Sequence, residues 1–179
     1  MKQSGTTLLE LMLVVAVSGI LLTIGIPSFA SIVSSGRVTN ATNSMVASLH
    51  LARSEAIKRN SRTVLCPSTT GNTCAASGGW HQGWLVFHDS NNNAALDAGE
   101  AVILSQPGMP DGFRLTGNDL VASYISYAPV GATRTLSGLY QLGTLTVCEA
   151  SGSSVSARRI VISMTGRVRT SKVTLDACP

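Results

Sequence analysis

The chain has 179 residues, a formal net charge of +4 and a pI near 9.1, with 44% hydrophobic and 12% charged residues. That charge is too modest to mark a polycation bound to nucleic acid along its whole surface, and no internal repeat or low-complexity tract points to a solenoid or a disordered chain. The length allows one modest core beyond an N-terminal apolar segment and excludes two large domains.

The chain opens K-Q-S-G-T-T-L-L-E-L, and from Leu11 to Ile26 no charged side chain follows. A carboxylate at the mouth of an apolar helix is costly in lipid unless neutralised or paired, so Glu10 is a functional candidate. A secretory signal would place a basic region first, then the apolar run, then a small-residue cleavage site. Here Lys2 is the only base ahead of the run, and Gly5 and Glu10 precede it. The pattern resembles the type III signal of type IV pilins and type II secretion pseudopilins. The resemblance implies that a prepilin peptidase removes residues 1–5 by cutting after Gly5 and that the new N-terminal Thr6 is methylated. It also implies that Glu10 pairs with the terminal ammonium of a neighbouring subunit, setting filament register. Thr6 stands where the family usually has an aromatic residue.

The run from Leu8 to Ala30 matches the ~20 residues that a membrane-spanning helix needs. Residues 6–30 are therefore read as a transmembrane and filament-core helix, with Gly19, Gly25 and Pro27 expected to interrupt it. Over residues 31–60 the pattern turns amphipathic. Val38, Ala41, Met45, Leu49, Ala52 and Ala56 recur at three- and four-residue spacing, whereas Asn40, Asn43, His50, Arg53 and Lys58 fall elsewhere. Gly36 is expected to loosen the join, and Asn60 with Ser61 to end a helix on the order of 80 Å long.

Residues 61–179 read as strand and turn. β-prone runs lie at Thr63–Cys66, Trp84–Phe87, Ala101–Leu104, Phe113–Thr116, Ser123–Tyr127, Leu142–Cys148, Arg159–Ser163 and Arg167–Leu175. Turn pairs such as Gly71-Asn72, Gly78-Gly79, Asp111-Gly112 and Gly152-Ser153 separate them. The expected fold class is α+β: a long N-terminal helix, half transmembrane and half amphipathic, packed on an antiparallel β-sheet head, as in the type IV pilin fold. Cys66, Cys74, Cys148 and Cys178 suit an oxidising compartment and allow three pairings. Cys66–Cys74 with Cys148–Cys178 is favoured, because the second bond would tie the tail to the sheet. A zinc site lacks both a C-x-x-C pair and a nearby histidine.

Four segments narrow the family: A-R-S-E-A from Ala52, G-W-x-x-G-W-L-V-F from Gly79, the D-x-N-x-N loop at Asp89, and R-R-I-V-I-S-x-x-G-R-V-R from Arg158 to Arg169. Together they resemble the FimT/FimU (GspH-type) minor pilins, with the helix end and the G-R-V-R run pointing to FimT-like proteins. The resemblance implies a low-abundance pilus subunit near the tip, used in DNA uptake during natural transformation. Its partners would be other pilin subunits, prepilin peptidase, the inner membrane and DNA. The precursor would sit in the inner membrane with its head in the periplasm, and the mature subunit in the pilus at the cell surface.

The residues themselves add a local argument. Arg158, Arg159, Arg167, Arg169 and Lys172 fall within fifteen positions, and Arg167 and Arg169, two apart, share a face in extended chain. Guanidinium forks suit phosphates, and five such contacts would give a log-log salt slope of roughly −4 to −5 on duplex DNA. No aromatic side chain interleaves with these bases, so base stacking is not expected. A solvated strand edge is the plainer reading of the same charges. The alternative function is a structural minor pilin or pseudopilin that primes assembly without binding DNA.

Asp89, Asn91, Asn93 and Glu100 hold positions 1, 3, 5 and 12 of an EF-hand-like loop, but Ala94 replaces the glycine and the flanks read as strands. A polar hairpin turn explains them with less, and no metal or cofactor is expected. His50, His81 and His88 lack H-E-x-x-H spacing and no serine sits in a G-x-S-x-G elbow, so no enzyme is expected. Trp80 and Trp84 read as packing residues.

Overall fold

A computed structural model describes residues 7–149 and 155–179, with the side chains of 24–28, 30 and 31 outside that description. The processing positions Gly5 and Thr6 and the Gly152-Ser153 turn lie outside the described residues. One helix, α1, runs Leu8–Arg59, followed by β1 (Thr63–Pro67), β2 (Gly83–His88), β3 (Val102–Pro107) and β4 (Phe113–Gly117). Then come β5 (Ile125–Tyr127), β6 (Gly143–Glu149), β7 (Val155–Ile162) and β8 (Val168–Leu175). The chain forms two compact units, residues 1–37 and 38–179.

In the first unit, Thr7 caps the helix: its hydroxyl accepts the Glu10 backbone N–H at 3.3 Å, as in the T-x-x-E capping pattern. Contrary to the expected interruptions, α1 is continuous through Gly19, Gly25 and Pro27. A proline removes one donor, and the rest of the i to i−4 ladder persists around it. Leu8 to Leu22 expose their side chains along this stretch. Among the described residues no helix is long and apolar enough to cross a membrane. The expected span continues through residues 24–30, most of whose side chains lie outside the description.

In the second unit the helix buries one stripe, Val38, Met45, Leu49, Ala52 and Ala56, against the strands. Asn40, Asn43, His50 and Lys58 stay outside that stripe, as their spacing predicts. Asn60, at φ 49°, ends the helix in the left-handed region, and Ser61 N–H reaches back to the Ala56 carbonyl at 3.2 Å. That bond is the 6→1 closure of a Schellman motif.

All eight β-prone runs form strands, but they divide into two four-stranded antiparallel sheets, ordered β3-β2-β1-β5 and β4-β6-β7-β8. Leu65, Trp84, Val86, Ile125 and Tyr127 of the first sheet share a core with Leu115, Leu145, Val147, Ile160 and Ile162 of the second and with the helix stripe. Trp84 donates its indole N–H to Ser48 on the helix, and Trp80 to the Val121 carbonyl, both at 2.9 Å, so both rings are buried without an orphaned donor. The far face of the first sheet is buried too: Val64, Cys66, Leu85 and Phe87 are covered by Cys74, Ala94, Leu96 and Tyr124. Disulfides join Cys66 to Cys74 and Cys148 to Cys178.

Candidate nucleic-acid interface

The second sheet positions the arginines. In β6 and β7, Leu145, Val147, Ile160 and Ile162 point into the core, so alternation sends Thr144, Thr146, Cys148, Ala157, Arg159 and Val161 to the other face. Pairing carries that outer face onto β8, where Arg169 lies opposite Val161 and Ser171 opposite Arg159. Arg167 precedes β8, but its carbonyl accepts the Ser163 N–H at 3.0 Å, which continues the ladder and sets Arg167 on the same side. Arg159, Arg167 and Arg169 therefore share one face open to solvent.

The remaining two bases do not join them. Arg158 pairs with Lys172 and with Val147, on the core-facing side at the sheet margin. Neighbours in sequence, Arg158 and Arg159 diverge because a strand alternates its side chains. Conversely, the register adds Arg114, which the sequence reading left out. It is exposed on β4 opposite Cys148, two residues from Thr116 on the outer face. The signal was present locally, since buried Phe113 and Leu115 alternate with Arg114 and Thr116. Only the pairing of β4 with β6 shows that this face is the one carrying Arg159.

Among the described residues, no ion pair or hydrogen bond engages the guanidinium groups of Arg114, Arg159, Arg167 or Arg169, although the Ser163 hydroxyl bonds the Arg167 backbone; the salt bridges present join Glu55 to Lys58 and Arg59. Arg59 beside Glu55 holds that carboxyl below its ordinary value. Unpaired guanidinium groups on one face leave their donors free for an anionic partner.

The turn that presents Arg167 is fixed from behind. Gly166 has φ 74°, and a Cβ there would collide with the Gly131 carbonyl oxygen. Arg53 on α1 donates to the Gly166 carbonyl at 3.2 Å, and Thr133 donates to the Ser163 carbonyl at 3.1 Å. The A-R-S-E-A helix end and the G-R-V-R run thus meet physically at this turn. Tyr127, whose ring abuts Gly166, is buried, and that burial pushes its hydroxyl well up.

The other candidate loop closes on itself. Asp89, fully buried, accepts the backbone N–H groups of Asn93 at 3.1 Å and Ala94 at 3.0 Å. Glu100 accepts from Ser90 and from the Asp97 N–H, while Asn91 and Asn93 both donate to Asp97, holding its carboxyl below the ordinary range. Among the described residues no group of three or more His, Cys, Asp or Glu side chains is placed to hold a metal ion. His88 and His81 belong to strand and turn, apart from the arginine face.

A helix seated on an antiparallel head, with a disulfide securing the tail, defines a pilin-like filament subunit of the minor pilin and pseudopilin class. The model of the family described as "Type II transport protein GspH" matches residues 41–166, and the chain belongs to that family. It is 35% identical over 102 residues to the pilin-like protein PilA1 of Thermus thermophilus, over 56% of this chain and 57% of that protein. The chain thus spans a little over half the length of that curated relative. Its fold is similar to the minor pilin FimU of Pseudomonas aeruginosa in two crystal forms, with TM-scores of 0.57 and 0.54 at 16% identity. These likenesses cover 81% and 79% of this chain and 97% and 99% of the solved chains.

Proposed function

We propose that this chain is a minor pilin of a type IV pilus that binds DNA non-specifically through its basic outer face during natural transformation. The observation that carries the reading is the convergence of Arg159, Arg167 and Arg169 on one solvent-facing side of the sheet, with no carboxylate paired to any of them among the described residues. Such groups bind phosphates, which position a protein on nucleic acid without reading sequence. The precursor inserts in the inner membrane through residues 6–30, is cut after Gly5 and methylated at Thr6, and uses Glu10 to set register among neighbouring subunits. The head then stands at the cell surface as an adhesive contact, and the force that moves DNA comes from other proteins.

One feature favours a second reading, a subunit that primes assembly through protein contacts. A hairpin arm closed by the Arg134 and Tyr140 bridge exposes apolar side chains, with Leu139 69% accessible and Val130, just before the arm, 76%. Arg134 lies 3.9 Å over the Tyr140 ring and donates to the Gly138 carbonyl at 2.9 Å, which holds the arm closed. Binding of the full chain in detergent to a labelled duplex across a salt series separates the two. Under the DNA reading, Arg167→Ala with Arg169→Ala weakens binding and flattens the salt slope by roughly 1.8, about 0.9 per phosphate contact. Absence of binding at low salt turns the assignment to assembly priming.

A further inference from the structure

A groove of about 420 Å³ lies on the outer face of the second sheet, between the end of β4, the start of β6 and the last residue of the tail. Its lining includes Thr116, Asn118, Thr144, Thr146, Arg159 and Pro179. Register explains the arrangement. Thr116 pairs with Thr146, and Thr146 with Arg159, so two hydroxyls and a guanidinium stand in one row across three strands. Adjacent strands are about 4.8 Å apart, which sets the spacing of the row. Asn118 Oδ1 accepts the Thr144 N–H at 2.7 Å, which turns its amide nitrogen away as a remaining donor.

Each of these polar side chains can therefore offer a donor to a ligand. Among the described residues the three threonine hydroxyls have no hydrogen-bond partner and no Asp or Glu side chain lines the groove; its one anionic group is the α-carboxylate of Pro179, which Arg159 in the same lining offsets. No aromatic ring lines it either, which removes the stacking surface that a sugar or base would use. The volume lies in the range of small-molecule sites, enough for one phosphate with its flanking sugar. Arg114 lies two residues from Thr116 on this face, roughly 7 Å along the strand. Arg169 is the diagonal neighbour of Arg159, about 7–8 Å away between backbones.

We infer that this groove seats a backbone phosphodiester, held by Arg159 and by Thr116, Thr144 and Thr146. DNA then crosses β4, β6, β7 and β8 between Arg114 and Arg169, instead of touching the β7–β8 turn alone. The inference rests on the DNA-binding reading above and extends it to a defined seat and two additional classes of contact.

The test uses the full chain in detergent, a labelled duplex and a salt series, comparing Thr146→Val, Arg114→Ala, the Arg167→Ala/Arg169→Ala pair, and Arg158→Ala with Lys172→Ala as the opposite-face control. Thr146→Val keeps shape and removes one neutral donor. It is expected to weaken binding about 3- to 10-fold at unchanged salt slope, whereas Arg114→Ala lowers the slope by roughly 0.9. The opposite-face pair leaves both quantities near wild type. If wild type binds and the turn variant abolishes binding, while Thr146→Val and Arg114→Ala match wild type, the seat is overturned and the turn alone holds DNA. If wild type does not bind at any salt, the DNA reading itself fails and this inference falls with it. Circular dichroism of each variant distinguishes lost contact from lost fold.

Discussion

Gly166 is the residue on which the shape of the basic face most depends. Its φ of 74° suits glycine, and its missing Cβ lets the turn lie against the Gly131 carbonyl while Arg53 bonds its own carbonyl. Gly166→Ala should therefore lower stability by roughly 1–3 kcal/mol, read as a shifted denaturation midpoint, because both strain and a backbone clash oppose the added methyl. An unchanged midpoint would mean that the turn relaxes freely. At Asp97, donation from Asn91 and Asn93 depresses the carboxyl pKa. Its folded value lies below its unfolded one, so the stabilisation is complete above the unfolded pKa and disappears as pH falls through the folded one. Side-chain amide resonances of Asn91 and Asn93 should stay constant from neutral pH to about pH 4 and shift only below it. A shift centred above that range would show that Asp97 is not held by these amides. Reading residues one at a time found Asp89, Glu100 and the arginines as polar candidates. It did not find Arg114, because a lone arginine in a short strand gains meaning only from the strand beside it.

At the scale of elements, eight strand runs and the helix stripe were legible because each alternates or repeats with a clear period: Leu145 and Val147 against Thr144 and Thr146, or Met45, Leu49, Ala52 and Ala56 along the helix. The same alternation separates Arg158 from Arg159. Treating the five bases as one cluster overlooked it. The division into two sheets was not legible, since β5 pairs with β1 and β4 with β6, contacts that sequence order does not announce. The β7–β8 hairpin has a further dependence. Cys148–Cys178 spans 30 positions and holds the tail over Val155, Ala157, Val173 and Leu175. Replacing both cysteines with serine should cost about 3–4 kcal/mol by loop entropy. Amide exchange should quicken first in β8, the edge strand; uniform quickening throughout the head would show that the bond supports the whole core instead.

Across the whole chain, the two compact units divide the work. Among the described residues Val38 is the first of the buried core, and Leu8 to Leu22 leave their apolar side chains uncovered, a surface suited to packing against other apolar helices. The head carries Arg159, Arg167 and Arg169 on a sheet face and exposes Leu136 and Leu139 on its hairpin arm, whose base at Thr133 is bonded to Ser163 beside the β7–β8 turn. Strand β8 is secured at both extremities. Ahead of it, the turn is bound by Arg53 and Thr133 and wedged against Gly131; behind it, Cys178 is bonded to Cys148 on β6. An edge strand tethered in this way cannot be unzipped from a free end. Load on β8 is shared among the β7–β8 ladder, the Cys148–Cys178 bond and the Arg53 bond at the preceding turn, so the strand resists peeling from the rest of the sheet.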